Sequence, residues 1–166
     1  YFPAATAHDT RTLRLMPIYQ VWACRRAQAE GRHVVPFTRT PKVSVIVPTY
    51  NRPALLRVAL DSLNRQRYQD FEVIVVNDGT VPVDSVVAEM NQAGRITLVN
   101  HDRNRGLAAS RNTGLRLAQG TYVAYLDDDD RLLPEHLGTL VEFLERGTHQ
   151  VAYTDAWRVK EEGSEG

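Results

Sequence analysis

Thr121-Tyr122-Val123-Ala124-Tyr125-Leu126 runs directly into Asp127-Asp128-Asp129-Asp130. The first six residues are apolar and aromatic and read as a buried strand. The aspartates end it abruptly, and Leu132, Leu133 and Pro134 then resume core and helix-start chemistry. Four adjacent like charges placed where a strand stops cost folding free energy unless a cation or a set of donors compensates them. The plain alternative is a solvated acidic loop. The flanking sequence decides between the two.

Upstream, Val43-Ser44-Val45-Ile46-Val47 is a short, β-branched, nearly continuous apolar run of the kind that forms an inner strand of a parallel sheet. Asn51 and Pro53 signal a helix start, and Leu56, Ala59, Leu60 and Leu63 recur at helical spacing. Val73-Ile74-Val75-Val76 predicts a second strand that ends at Asn77-Asp78-Gly79, where Gly79 permits a tight turn. A short helix over Asp84 to Met90 and a third strand over Ile96 to Val99 follow. A polar loop from His101 to Gly106 leads into a helix from Leu107 to Ala118. Beyond the aspartates, Pro134 opens a helix with Leu137, Leu140, Val141 and Leu144 on one face, and Val151 to Tyr153 predicts a fifth strand. This alternation predicts an α/β/α sandwich with a mostly parallel sheet and right-handed crossovers. Ligands of such open sheets bind outside the carboxyl ends of the strands, where the unusual residues of this chain gather.

Residues 1–40 differ in character and read as an N-terminal helical extension and linker. Pro17 opens a helix with Ile18, Val21 and Trp22 on one face and Arg25 and Arg26 toward its end, Gly31 supplies the stop, and Cys24 is a packed helix residue. Residues 41–158 form the main domain and 159–166 a polar tail. The chain begins at Tyr1 and ends at Gly166, and the expectation is a piece of something longer. Lys plus Arg and Asp plus Glu number 20 each, which argues against a nucleic-acid partner held by bulk charge. A lone cysteine and the lack of a spanning apolar segment predict a cytoplasmic chain with no transmembrane segment, peripheral at a membrane only through parts outside it.

At the predicted rim, strand alternation puts Asp127 with Asp129 on one side and Asp128 with Asp130 on the other, as far as the extended conformation persists. Two carboxylates on one side can share a hard divalent cation, Mg2+ or Mn2+. Zinc is not favoured, because His8, His33, His101, His136 and His149 are scattered and read as surface or satisfied polar residues. Asp78 either accepts hydrogen bonds from a base or ribose or caps the turn before Gly79. Tyr50 offers a ring for stacking. Arg111, about one turn into its helix, can reach a phosphate. Neither GxGxxG nor GxxxxGK[ST] occurs, which lowers the odds of a dehydrogenase or a P-loop enzyme.

Val43 to Arg52, Val75 to Thr80, Asn104-Arg105-Gly106 with Ala109-Ser110-Arg111-Asn112, and Leu126 to Asp130 together resemble the inverting family 2 glycosyltransferases of the GT-A (Rossmann-like) fold. The resemblance spans about residues 42 to 157. It implies a nucleotide-diphospho-sugar donor, with a UDP-sugar the expected one, an unknown acceptor, and an acidic motif of the DxD type holding Mn2+ or Mg2+ on the diphosphate. Carried over, Pro48, Thr49 and Tyr50 line the base pocket and Asp78 holds base or ribose. Arg111 lies near the diphosphate, Asp128 contacts ribose or sugar, and Asp129 is the principal metal ligand with Asp127 in support. Arg52, Gly79 and Gly106 complete the nucleotide-sugar-binding set. The base that deprotonates the acceptor in such enzymes belongs to a later motif. Asp155 and the tail glutamates match no such motif, so the base is expected beyond Gly166 and this chain is expected to be the donor-binding half. A non-catalytic nucleotide-sugar-binding module, a plain interaction domain and a nucleotidyltransferase are the competing readings.

Overall fold

The computed structural model describes residues 23–25 and 40–156. They form one six-stranded sheet in the order β4-β3-β2-β5-β1-β6, with β1 at Ala23–Arg25, β2 at Val43–Thr49, β3 at Phe71–Asn77, β4 at Ile96–Asn100, β5 at Tyr122–Tyr125 and β6 at Val151–Ala152. The pairs β2–β3, β3–β4 and β2–β5 are parallel. β1 runs antiparallel to both β5 and β6, so β6 points the same way as β5. The predicted parallel core is present.

β2 and β3 are buried at all seven positions each, because helices cover both faces. Val43, Val45, Val47, Val73, Val75, Tyr122 and Ala124 face a core shared with α1 (Pro53–Asn64), α2 (Asp84–Met90) and α4 (His136–Arg146). Ile46, Ile74, Val76 and Val123 face the other way, toward α3 (Leu107–Leu117). The stripes expected on α1 and α4 are the buried ones.

α3 lies on the sheet differently from its leucine-rich appearance. Its buried residues are Ser110 and Gly114, while Leu107 and Leu115 are exposed. Small residues let the helix backbone approach closely: a Cβ on Gly114 would stand 2.4 Å from Ile46 Cγ2. That approach carries Arg111 to the carboxyl end of the sheet.

Three expectations are corrected. Ala23–Arg25, expected within a helix, is a strand, because the backbone edges of β5 and β6 have to be paired and three residues of any local propensity can do it. The rest of the helix expected from Pro17 to Gly31 lies outside the described residues, as do residues 157–166. β2 extends through Pro48 and Thr49 instead of ending at Val47. Leu126 N–H donates to Ile46 O at 3.0 Å, so alternation turns Pro48 to the same side, where β5 has already ended and its missing N–H breaks no ladder bond. A gap opens there between β2 and β5. Finally, the predicted fifth strand stops at Ala152, one residue early.

Candidate functional site

The first strand in the parallel set, β2, has β3 on one side and β5 on the other, so the chain reverses its direction of travel across the sheet at the β2–β5 gap. Such a switch point leaves a crevice at the strands' carboxyl ends. Four loops border it: Tyr50–Arg52 after β2, Asp78–Val83 after β3, His101–Gly106 after β4 and Leu126–Glu135 after β5.

The first two loops are locked together by one side chain. Asn51 adopts a left-handed conformation, φ 55°, which asparagine tolerates better than most residues. Its Oδ1 accepts from the amides of Thr80 and Val81 at 2.8 and 3.0 Å. Gly79 makes this possible, since a Cβ there would stand 2.4 Å from Asn51 Oδ1 and 2.7 Å from Asn51 N. Asn51 was read from sequence only as a helix-start signal; its preference for the left-handed region was the clue to a further role.

Asp78 is 5% exposed and accepts three hydrogen bonds within the protein. Its Oδ1 accepts from Arg105 N–H at 2.8 Å and from His101 Nδ1 at 2.7 Å, and its Oδ2 accepts from Gly106 N–H at 2.7 Å. A carboxylate only accepts, so His101 donates from Nδ1, and in the neutral ring Nε2 accepts from Thr113 Oγ1 at 3.0 Å. Burial pushes the Asp78 carboxyl up, but the hydrogen bonds from His101, Arg105 and Gly106 outweigh it and hold the group below its ordinary value. Asp78 therefore organises the loop that enters α3, and His101, which sequence placed among the unremarkable histidines, ties that loop to the helix. Gly106 enters α3 with φ 85°, a conformation suited to glycine.

The four aspartates do not continue the strand. Asp130 N–H donates to Asp127 O at 3.0 Å, closing a turn that ends the expected alternation of faces. Each carboxylate thereby acquires its own environment. Asp127 accepts from Arg111 Nη2 at 2.8 Å. Asp128 is buried, with a side chain 1% exposed, and accepts from Thr49 Oγ1 at 2.7 Å across the β2–β5 gap. Asp129 is 48% exposed, with Arg52 Nη1 3.0 Å from its Oδ2. Arg52 Nη2 also lies 2.8 Å from Asp128 Oδ1. Asp130 is half-buried, and burial together with the charges of Asp129, Asp127 and Asp128 pushes its carboxyl up to about 6. Burial likewise raises Asp128, and Thr49 and Arg52 offset it only in part.

Tyr50 stands half-exposed beside this cluster, and Arg111, 5.6 Å over the Tyr125 ring, carries a buried Nε with no partner among the described residues. Thr49, Arg52, Arg111, Asp127, Asp128 and Asp129 thus converge on one rim, joined by Tyr50. Asp78, Gly79 and Gly106 sit just beneath, shaping its loops, and Pro48 opens the gap. Among the described residues no three carboxylate, histidine or cysteine side chains are grouped to hold a metal. The arrangement fits a cation that takes one or two carboxylates and completes its shell with phosphate oxygens and water. Asp129 is accessible, and Asp128 Oδ1 is buried without a hydrogen-bond partner among the described residues.

Comparison with known proteins bears on this geometry. The profile of glycosyl transferase family 2 matches residues 44–165. A GalNAc(5)-diNAcBac-PP-undecaprenol beta-1,3-glucosyltransferase of Campylobacter jejuni is 40% identical over 110 residues, 64% of this chain and 36% of that protein. The solved structure of S. aureus TarS 1–349 in complex with UDP-GlcNAc superposes with a TM-score of 0.60 at 32% identity, over 63% of this chain and 31% of that one. A mannosyltransferase from Pyrobaculum calidifontis, solved with GDP-Man and Mn2+, gives 0.58 at 35% identity, over 64% of this chain and 33% of that one. Relatives in the curated set, such as those from Rickettsia bellii and Haemophilus influenzae, are matched over 18% and 35% of their length, so the chain spans about a fifth to a third of such proteins.

Proposed function

The chain belongs to glycosyl transferase family 2 and has its GT-A fold, and from that membership we propose that it is the donor-binding part of an inverting, metal-assisted glycosyltransferase. The donor is a nucleotide-diphospho-sugar, with a UDP-sugar the first candidate, and residues 41–158 are the unit that binds it. The observation that carries this reading is the joining of β2 and β5 at their carboxyl ends by the Thr49–Asp128 hydrogen bond, with Asp129 exposed beside it. A buried carboxylate and an accessible one, adjacent in sequence, give the crevice both a fixed wall and a ligand.

Roles follow from the environments. Asp129 is the residue to hold Mn2+ or Mg2+, and the bound ion would supply neutralisation of the charge that develops on the departing nucleoside diphosphate. Asp127, committed to Arg111, supports it by fixing that arginine at the rim. Arg111 offers its remaining donors to the diphosphate, and its unpartnered Nε is the one that such a contact would satisfy. Asp128, held by Thr49, has an unbonded Oδ1 for a ribose or sugar hydroxyl. Tyr50 presents a half-exposed ring for the base. A carboxylate has about four acceptor sites and Asp78 uses three, so one is left for base or ribose. The acceptor side and the general base that inversion requires lie in other parts of the protein, a reading supported by the fraction of its relatives that this chain spans.

Calorimetric titration of UDP with and without Mn2+, on the chain and on Asp129→Asn, tests this. The expected result is Mn2+-dependent binding that the substitution weakens at least tenfold. Binding that ignores both the metal and the substitution defeats the metal assignment, and no nucleotide binding under any condition defeats the donor site.

A further inference from the structure

The acidic loop already holds a cation of the protein's own. One Arg52 guanidinium spans two neighbouring carboxylates, Nη2 at 2.8 Å from Asp128 Oδ1 and Nη1 at 3.0 Å from Asp129 Oδ2. The two contacts differ in kind. The one to Asp129 is a hydrogen bond, whereas Asp128 Oδ1 has no hydrogen-bond partner, so Arg52 meets that buried atom as charge alone. On Asp129, the oxygen that a divalent ion would need is the one the guanidinium faces.

We propose that Arg52 is a built-in counter-cation, which in the nucleotide-free protein shields Asp128 and takes the metal's place on Asp129, and has to leave Asp129 before a divalent ion can bind there. The proposal rests on the metal reading above and deepens it. Without a cation, Asp128 would be a buried charge beside three other carboxylates, and the Thr49 hydroxyl and the Tyr50 backbone offset its burial only in part. Arg111 cannot serve, since Asp127 and the Tyr125 ring hold it. A monovalent guanidinium and a divalent ion about 4 Å apart repel strongly even in water, so the two cannot share Asp129 Oδ2.

The geometry also permits departure. Arg52 sits at the N-cap position of α1, its backbone steadied by Pro53 at the first turn, while its side chain is 46% exposed and makes no capping bond. A long side chain on a fixed anchor can swing outward without moving the helix. Once displaced, its planar fork suits the diphosphate oxygens that arrive with the metal. The acidic loop would thus bind metal poorly alone and well only together with nucleotide.

Titration of Mn2+ alone, read by electron paramagnetic resonance of the free ion at low salt, tests this on the full chain, Arg52→Gln, Arg52→Lys and Arg52→Gln/Asp129→Asn. The expected result is about tenfold tighter Mn2+ binding by Arg52→Gln in the absence of nucleotide, scaled from that repulsion after screening. A lysine, being a point charge that can sit on one carboxylate only, gives a smaller gain, and Asp129→Asn abolishes it. Arg52→Gln also melts lower in chelator and recovers more of its melting temperature on adding Mn2+ than the unaltered chain does. Equal or weaker Mn2+ binding by Arg52→Gln overturns this proposal and leaves the metal reading intact. No Mn2+ binding by any variant overturns this proposal, whereas the metal reading falls only if UDP binding also ignores Mn2+. Should Arg52→Gln not fold, Arg52→Lys decides: affinity unchanged from the unaltered chain refutes the counter-cation.

Discussion

Replacing Asp78 by asparagine keeps the shape of the side chain and removes its charge, so it isolates what the carboxylate does. The best orientation of the amide leaves oxygen at the Oδ1 position, where it retains His101 Nδ1 and Arg105 N–H. The NH2 group then faces Gly106 N–H across 2.7 Å, donor against donor. Hydrogen bonds to charged groups contribute about 1.5–3 kcal/mol each. Gly106 N–H also donates to Asn104 Oδ1 at 2.9 Å, so it is not orphaned, and the loss should fall near the lower end, about 2 kcal/mol. In urea that is a midpoint about 1 M lower. The pH dependence gives a second, independent check. Because the folded carboxyl is held below the ordinary 3.8, folding favours its ionised form. Its stabilisation is full above the unfolded value and is lost as pH falls through 3.8 toward the folded value. The gap between the unaltered chain and Asp78→Asn should therefore be constant from neutral pH to about 5 and close below about 4. A gap under about 0.5 kcal/mol at pH 7, or one that widens in acid, refutes the assignment of Asp78 as the organiser of the His101–Gly106 loop.

Asp130→Asn should do the opposite. Its folded carboxyl is raised to about 6, so the charged form opposes folding, and stability declines as pH rises from 3.8 through 6. Discounted for its partial exposure, the substitution should stabilise by about 1 kcal/mol at pH 7.5 and by nothing at pH 3.5, read from urea midpoints at the two values. Gly114→Ala forces a Cβ to within 2.4 Å of Ile46 Cγ2 and should cost about 1–3 kcal/mol by overpacking. In an Ile46→Ala background the same change should cost less, because the clashing atoms are gone; strict additivity in the double-mutant cycle would count against close packing of α3.

The parts of the fold legible in sequence are those whose cause is local. β-branched runs at Val43–Val47 and Val73–Val76 need burial on both faces wherever they sit, and the α1 and α4 stripes repeat every turn. β1 was illegible because three residues carry too little local preference to compete with an unpaired sheet edge. For α3, a helix from Leu107 to Ala118 was legible but its buried face was not, and that face is set by the small residues Ser110 and Gly114, because close approach to a sheet selects for them. The site shows the same division. That the aspartates stand at a strand end could be read directly, and with it the convergence of the strand-end segments that carry Thr49, Tyr50 and Asp78, with Arg111 near them, on one rim.

What could not be read was how four identical residues become four different groups. Their distinction depends on partners far away in the chain: Thr49 is 79 residues from Asp128, Arg52 is 77 from Asp129, and Arg111 is 16 from Asp127. An extended strand would have made Asp127 and Asp129 equivalent. The turn closed by Asp130 N–H instead buries Asp128, exposes Asp129 and leaves Asp130 without a neutralising partner among the described residues. A run of like charges at a strand end needs cations or donors to compensate it, and here two arginines from different elements help to do so, Arg52 at the start of α1 and Arg111 within α3. The same arrangement sets the terms on which an external cation is admitted: it has to compete with a guanidinium for Asp129 while Thr49 keeps Asp128 in place.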